Sequence, residues 1–227
     1  MTKPDWWYDD LKQVGLDFED EAQVATYDAR QGRSSEADRA LLLELGMQAG
    51  TAMADIGCGT GILACEAARL GANVRAIDVS AAMLKAAQAR AEGLTNIAFE
   101  RAGFLSFEVR GDLDLVTTKN ALHHLPDLWK AVALTRMRQA LKLGGRLYIR
   151  DVAFNCTPDA IGETAEAWIS FLARETGYTR EDGACHVREE HSTFGWILER
   201  MITETGFTLL SRTHDGVYST FLAEKRP

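Results

Sequence analysis

Three glycines at alternate positions, Gly57, Gly59 and Gly61, end a short apolar run that starts at Thr51 and carries Asp55 two residues before the first glycine. The apolar stretch reads as a buried strand, and Ile62-Leu63-Ala64 then opens a helix. Glycine in the loop between them lets the backbone turn sharply and lets a ligand lie against the main chain with no Cβ in the way. A strand, glycine loop and helix also form a dinucleotide site, whose G-x-G-x-x-G spacing reserves the third glycine for close helix packing beside a pyrophosphate. Here the third glycine arrives one residue early and Ile62 stands in its place. The loop therefore suits a small ligand other than a dinucleotide.

The chain around this loop alternates strands and helices. Downstream, a helix over 62–70 closes at Gly71, a strand Asn73–Ile77 ends on Asp78, and Ser80 caps a helix over 81–92 that stops at Gly93. Strands follow over 96–101 and 112–118, then an amphipathic helix from Pro126 to about Leu141, a turn over 142–145 and a strand over 146–152. Five strands joined through helices imply right-handed crossovers and a parallel sheet. Upstream, residues 20–30 have helical composition, and Ser35 with Asp38 makes a weakened capping box for a helix to about Gly46 bearing Leu41, Leu42 and Leu45. Residues 153–191 read as an insertion: a helix from about Pro158 to Glu175, then a polar loop holding Cys185, His186 and His191. A helix over 193–205 stops at Gly206, and strands over 207–213 and 217–225 form a closing hairpin around His214-Asp215-Gly216. With no repeat, low-complexity tract or linker, 227 residues form one domain.

Several of these stretches share one resemblance. Asp55-Ile-Gly-Cys-Gly-Thr-Gly61 resembles motif I of the class I S-adenosylmethionine (SAM) dependent methyltransferases, and Asp78 falls 17 residues beyond Gly61, where that family carries its ribose-binding acid. Val79-Ser-Ala-Ala-Met83 is similar to the segment that flanks adenine, and the strand 112–118 followed by Leu122-His-His-Leu125 resembles the motif IV region of the small-molecule members. Tyr27-Asp28 resembles a pair that many of them carry ahead of motif I. The resemblance covers residues 51–147 and implies a Rossmann-like, doubly wound α/β sheet of seven strands, mostly parallel with an antiparallel last strand, and helices on both faces. It implies that Gly57, Gly59 and Gly61 cradle the methionine part of SAM and that Asp55 orients its amino group. Asp78 would hold the ribose, Val79, Met83, Gly103 and Phe104 would surround adenine, and Tyr27 and Asn120 would complete the pocket. One departure stands out: many members place an aspartate after the third strand to accept from the adenine amino group, whereas this chain has Ala102-Gly103-Phe104. Residues 1–34 then serve as a lid, and residues 153–191 cover an acceptor pocket.

Methyl transfer is an in-line displacement in which positioning supplies much of the acceleration and a general base removes a proton where the acceptor needs it. The carboxyl ends of the fourth and fifth strands offer His123, His124 and Asp151 as catalytic candidates. His186, Glu189, Glu190 and His191 could be imagined as metal ligands, but H-x4-H fits no common zinc pattern, so the run reads as a solvated loop and no metal is expected. Lys and Arg total 25 against 33 Asp and Glu, a net charge of −8 that argues against nucleic acid and a membrane surface as partners. The acidic balance leaves a small-molecule acceptor, with S-adenosylhomocysteine (SAH) as co-product and the oligomeric state open. The four cysteines form no C-x-x-C pair and no leader or membrane span is apparent, so a cytoplasmic enzyme is expected. Two alternatives remain at this point: a non-catalytic module that binds SAM or a nucleotide, and an NAD-binding oxidoreductase.

Overall fold

In the computed structural model, which describes residues 4–12, 14–15, 18–30, 32 and 34–227, the glycine run follows the central strand of one sheet. Strand β1 (Ala52–Ile56) is flanked by β2 (Asn73–Asp78) and β4 (Leu113–Lys119), with β3 (Ile97–Arg101) outside β2 and β5 (Leu141–Phe154) outside β4. These five are parallel, and β8 (Tyr218–Lys225) then pairs antiparallel with both β5 and β7 (Phe207–Asp215). The main path is therefore β3-β2-β1-β4-β5-β8-β7, seven strands with the last in the chain antiparallel. A two-residue strand, β6 (Thr193–Phe194), adds to β5 off this path and occupies what the sequence suggested as the first turn of the last helix. The turn expected over 142–145 is absorbed into β5 as a register irregularity opposite Leu113–Leu115, with Gly144 at φ +79°.

Helices cover both faces because each buries one apolar stripe. Against one face lie α2 (Ser35–Glu44), α3 (Ile62–Arg69) and α4 (Ala81–Arg90), whose Leu42, Leu63, Ala67 and Leu84 join Met53, Val74 and Leu115 of the strands in one core. Against the other lie α5 (Asp127–Ala140) and α8 (Gly195–Glu204), contributing Leu134, Met137, Leu198 and Ile202. The caps explain the boundaries. Ser80 accepts from the Met83 N–H at 3.0 Å to start α4, as its sequence position suggests. For α2 the cap is Ser34, one residue earlier than expected, accepting from the Ala37 N–H. Asp38, released from the capping role, is buried and pairs with Lys119.

The insertion differs from its sequence reading. It contains α6 (Ile161–Glu175) and then a second helix, α7 (Arg180–Glu189), in place of a polar loop. Thr179 and Asp182 form a reciprocal capping box, with Asp182 N–H donating to Thr179 Oγ1 at 3.1 Å and Thr179 N–H donating to Asp182 Oδ2 at 2.7 Å. That satisfies two otherwise orphaned helix donors and makes a helix of a segment rich in charge. Trp168 and Leu172 of α6 pack with Val152 and Phe154 of β5 in a satellite core at the carboxyl end of the sheet.

Candidate active site

The chain leaves β1 toward β2 on one side and later returns through β4 and β5 on the other, so the loops after β1 and β4 diverge at the carboxyl edge. Such a switch point opens a crevice in an α/β sheet. Two adjoining chambers occupy it here.

The first chamber is built on the glycine loop. Gly57 and Cys58 donate their N–H groups to the Ile77 carbonyl at 2.8 and 3.0 Å, which ties the loop to the end of β2. Gly57, Gly59 and Gly61 all have positive φ, +74°, +56° and +77°. A methyl group at Gly57 would overlap the Cβ of Ala121, so the close approach of the β4 loop demands glycine there. Gly61 differs from the other two: it stands outside the chamber wall, and a side chain there would meet Ala87 of α4. Asp78 is 8% exposed, and its two carboxylate oxygens accept from Gly59 N–H at 2.8 Å and Ser80 N–H at 2.9 Å, fixing the acid on the rim of the loop. Asp55 also lies outside the chamber, beneath its floor, where it accepts from Thr117 Oγ1 at 2.7 Å. Val79, Met83, Gly103 and Phe104 also line the chamber.

The N-terminal segment roofs this chamber. Helix α1 (Glu21–Arg30) packs Val24 and Tyr27 on Met83, and Asp28 accepts from Thr60 Oγ1 at 2.5 Å and from Arg90 Nη2 at 2.6 Å. Ahead of α1, Ser80 Oγ donates to the Phe18 carbonyl at 2.6 Å. Asp10 then reaches the far end, where its Oδ2 accepts from Leu105 N–H at 2.7 Å and Ser106 Oγ at 3.1 Å. This carboxylate occupies the space that a side chain on Gly103 would fill. No local signal in the sequence joins residue 10 to residue 103.

The second chamber lies between β5 and the insertion. Phe18, Tyr27, Asn120 and His124 line both chambers and form the boundary between them. Asn120 adopts φ +53°, a left-handed conformation that costs a non-glycine residue about 1 kcal/mol or more and persists where surroundings enforce it. Its N–H donates to the Arg150 carbonyl at 2.7 Å and its Oδ1 accepts from Arg150 Nη1 at 3.0 Å. Trp168, Leu172, Tyr178 and Tyr218 give the chamber apolar walls, with Arg150 stacked 4.2 Å from the Tyr218 ring.

Adjacent histidines on the 3-10 turn Leu122–His124 face different surroundings. His123 is buried, with Nδ1 against Asp151 and Nε2 3.2 Å from Glu190 Oε2. Burial alone would push its pKa down, but the two carboxylates outweigh burial and raise it to about 10. Burial and the neighbouring His123 push His124 the other way, down to about 4. Asp151 lies beneath His123 and lines neither chamber; its carboxylate accepts from the N–H groups of His123 at 2.9 Å and Val152 at 2.8 Å. Burial would raise Asp151, yet His123 holds it below the usual range. Of the three catalytic candidates, only His124 reaches both chambers. The sequence reading did not foresee Asp10, nor the approach of Glu190 and His186 to His123.

Comparison with known proteins supports this architecture. A family model described as a methyltransferase domain matches residues 53–145. An uncharacterized methyltransferase of Anoxybacillus flavithermus is 30% identical over 163 residues, 71% of this chain and 72% of the relative. A ubiquinone biosynthesis O-methyltransferase of Xanthomonas oryzae pv. oryzae is 35% identical over 131 residues, 56% of this chain; the match spans about half, 52%, of that relative. Phosphoethanolamine N-methyltransferase 2 of Haemonchus contortus, solved in complex with S-adenosyl-L-methionine, superposes with a TM-score of 0.71 at 18% identity, covering 93% of this chain and 60% of that one. At that identity the likeness is one of fold.

Proposed function

Because the chain belongs to the class I S-adenosylmethionine-dependent methyltransferases, we propose that it methylates a small-molecule acceptor held in the second chamber. The carrying observation is that two chambers meet at one wall made by Tyr27, Asn120 and His124. The first chamber fits the cofactor: bare, positive-φ backbone at Gly57 and Gly59 suits a ligand lying on the main chain, and Asp78 stands beside it as a buried carboxylate. When bound there, SAM supplies an electrophilic methyl group on sulfonium.

Each wall then has a task. Gly57 and Gly59 hold the amino-acid end, Asp78 accepts from the ribose hydroxyls, and Met83 and Phe104 enclose the adenine. Asp55 acts from beneath the loop and Gly61 through its close contact with α4, both shaping the cradle without touching its contents. Asp10 stands in for the acid absent at position 103, so the adenine end is read by the N-terminal segment and not by the strand-three loop. Tyr27 and Phe18 exclude water from the boundary, and His124 takes the acceptor proton. The apolar walls of the second chamber favour an acceptor with a hydrophobic body, and the O-methyl transfer in the name of the Xanthomonas relative favours a hydroxyl as the attacking group.

A panel of small phenols, alcohols and amines with labelled SAM tests the proposal. We expect transfer to a hydroxyl acceptor, with His124→Ala lowering kcat by about 100-fold or more while calorimetric SAH affinity is retained. Absence of SAH binding, with Asp78→Ala behaving like the unaltered protein, would remove the cofactor assignment. Normal turnover by His124→Ala would remove the proton-transfer role. Asp10→Ala should weaken SAH by at least about tenfold, the loss expected for a charged hydrogen bond; an unchanged affinity would dismiss it as an adenine contact.

A further inference from the structure

We propose that His123, His186 and Glu190 bind one divalent first-row transition-metal ion at the wall of the second chamber. One ligand atom from each of the three residues lies within 4.8 Å of the other two. Glu190 Oε2 is 3.2 Å from His123 Nε2 and in direct contact with His186 Nδ1. Ligands bound at about 2.0–2.1 Å in tetrahedral geometry stand about 3.3 Å apart, so small side-chain adjustments admit an ion among these atoms, the ion displacing to solvent the proton that His123 Nε2 otherwise shares with Glu190.

Three separate parts of the chain are drawn together to make this arrangement. His123 comes from the 3-10 turn after β4, and His186 and Glu190 are four residues apart at the end of α7. Residue 191 locks the two parts together: its N–H donates to the His123 carbonyl at 2.8 Å, and its carbonyl accepts from the buried ammonium of Lys130. The N-terminal segment closes the third side, where Gly15 lies against Glu190 so closely that any side chain there would overlap the carboxylate.

The outward-facing atoms of both imidazoles are also fixed. His123 Nδ1 is against Asp151, itself anchored by the His123 and Val152 N–H groups, and His186 Nε2 is 2.7 Å from Ser192 Oγ. Such a second layer of partners is what orients metal-bound histidines and fixes which nitrogen binds. Glu190 is 8% exposed and His123 5%, and the Trp168 ring covers His186 edge-on at 4.8 Å.

Two imidazoles and one carboxylate suit zinc or ferrous iron better than magnesium or calcium, which take mainly oxygen ligands. Because all three residues line the second chamber, the remaining coordination position opens into it. There the ion would hold an acceptor oxygen, a role that rests on the methyl-transfer reading although the site itself does not.

The test uses full-length protein without a histidine tag, stripped with chelator and titrated with Co²⁺ alone. The result expected is visible absorption of a low-coordinate Co²⁺ centre saturating at one ion per chain. His186→Ala and Glu190→Gln should each weaken Co²⁺ by at least tenfold, and His214→Ala on β7, a histidine outside the cluster, should leave it unchanged. SAH titration of each protein reads folding and cofactor binding separately, so failure of the metal site and failure of the methyltransferase reading give different results. Wild-type protein that binds SAH but gives no Co²⁺ absorption would overturn the site. So would Glu190→Gln and His186→Ala variants that bind Co²⁺ as tightly as the wild type.

Discussion

Gly57 shows how much of a site one missing methyl group can carry. Its φ of +74° and the Ala121 Cβ both exclude a side chain, by different means. The left-handed conformation costs an alanine about 1–2 kcal/mol, and the overlap adds whatever displacement of the β4 loop is needed to relieve it. Gly57→Ala should therefore lower both melting temperature and SAH affinity. Adding Ala121→Gly should recover the part due to overlap and leave the part due to φ. A double variant no better than Gly57→Ala, in calorimetry and thermal unfolding, would show that contact with Ala121 is not what demands glycine. The position of Gly57 in the chamber wall was legible because glycine spacing is a local pattern, and that of Asp78 because its place at the end of a strand is fixed by counting. Asp10 escaped because its partners, Leu105 and Ser106, lie 95 and 96 residues away and are chosen by how an irregular segment folds over the rim.

Helix α1 roofs the first chamber, and besides its apolar contact with Met83 the Asp28 carboxylate helps to hold it there. Asp28 accepts from Thr60 of the glycine loop and from Arg90 at the end of α4, while Arg90 Nε also donates to the Thr60 carbonyl at 2.9 Å. This ties roof, loop and helix through a single cluster. The Asp28 and Arg90 side chains are 28% and 32% exposed, so solvent tempers their attraction, and the pair contributes at most about 1 kcal/mol to stability. Asp28→Ala should consequently spare the fold and raise KM for SAM several-fold, with kcat falling less because Asp28 is bonded to Thr60 and Arg90 and not to His124. A variant whose kcat collapses at unchanged KM would place Asp28 in the chemistry instead. Helix α7 shows the limit of reading elements from charge alone. Its run of acidic, basic and histidine side chains looks like a solvated loop, yet Thr179 and Asp182 are at capping-box spacing, and that signal was present in the sequence. What it could not disclose is the partner: His186 becomes half-buried only because α7 settles on α6 and the end of β5.

At the scale of the molecule, the sheet was legible because alternating strands and helices with short, right-handed connections leave few topologies, and the chain follows one of these. The covering of the crevice was not. Residues 4–30, where described, close over the first chamber through contacts that include Asp10 on Leu105, the Phe18 carbonyl on Ser80, and Glu19 against the first N–H groups of α4, 3.1 Å from that of Ala81. An acid at a helix N-terminus is favourable, but Glu19 is exposed, so solvent weakens its contact. The segment buries few apolar residues of its own, chiefly Val24 and Tyr27 on Met83, so it belongs to the part of a structure that opens at low free energy. If SAM binds in the first chamber as proposed, its exchange requires such opening, because the roof lies across the chamber that the glycine loop builds. A ligand that contacts both floor and roof binds the closed form better than the open one and so shifts the balance toward closure. Hydrogen exchange should therefore slow across residues 18–30 on adding saturating SAH, while the amides of β4 and β5, already in the sheet centre, change little. Equal protection of the segment with and without SAH would mean that its closure is independent of the cofactor, and the chamber would then have to fill by another route.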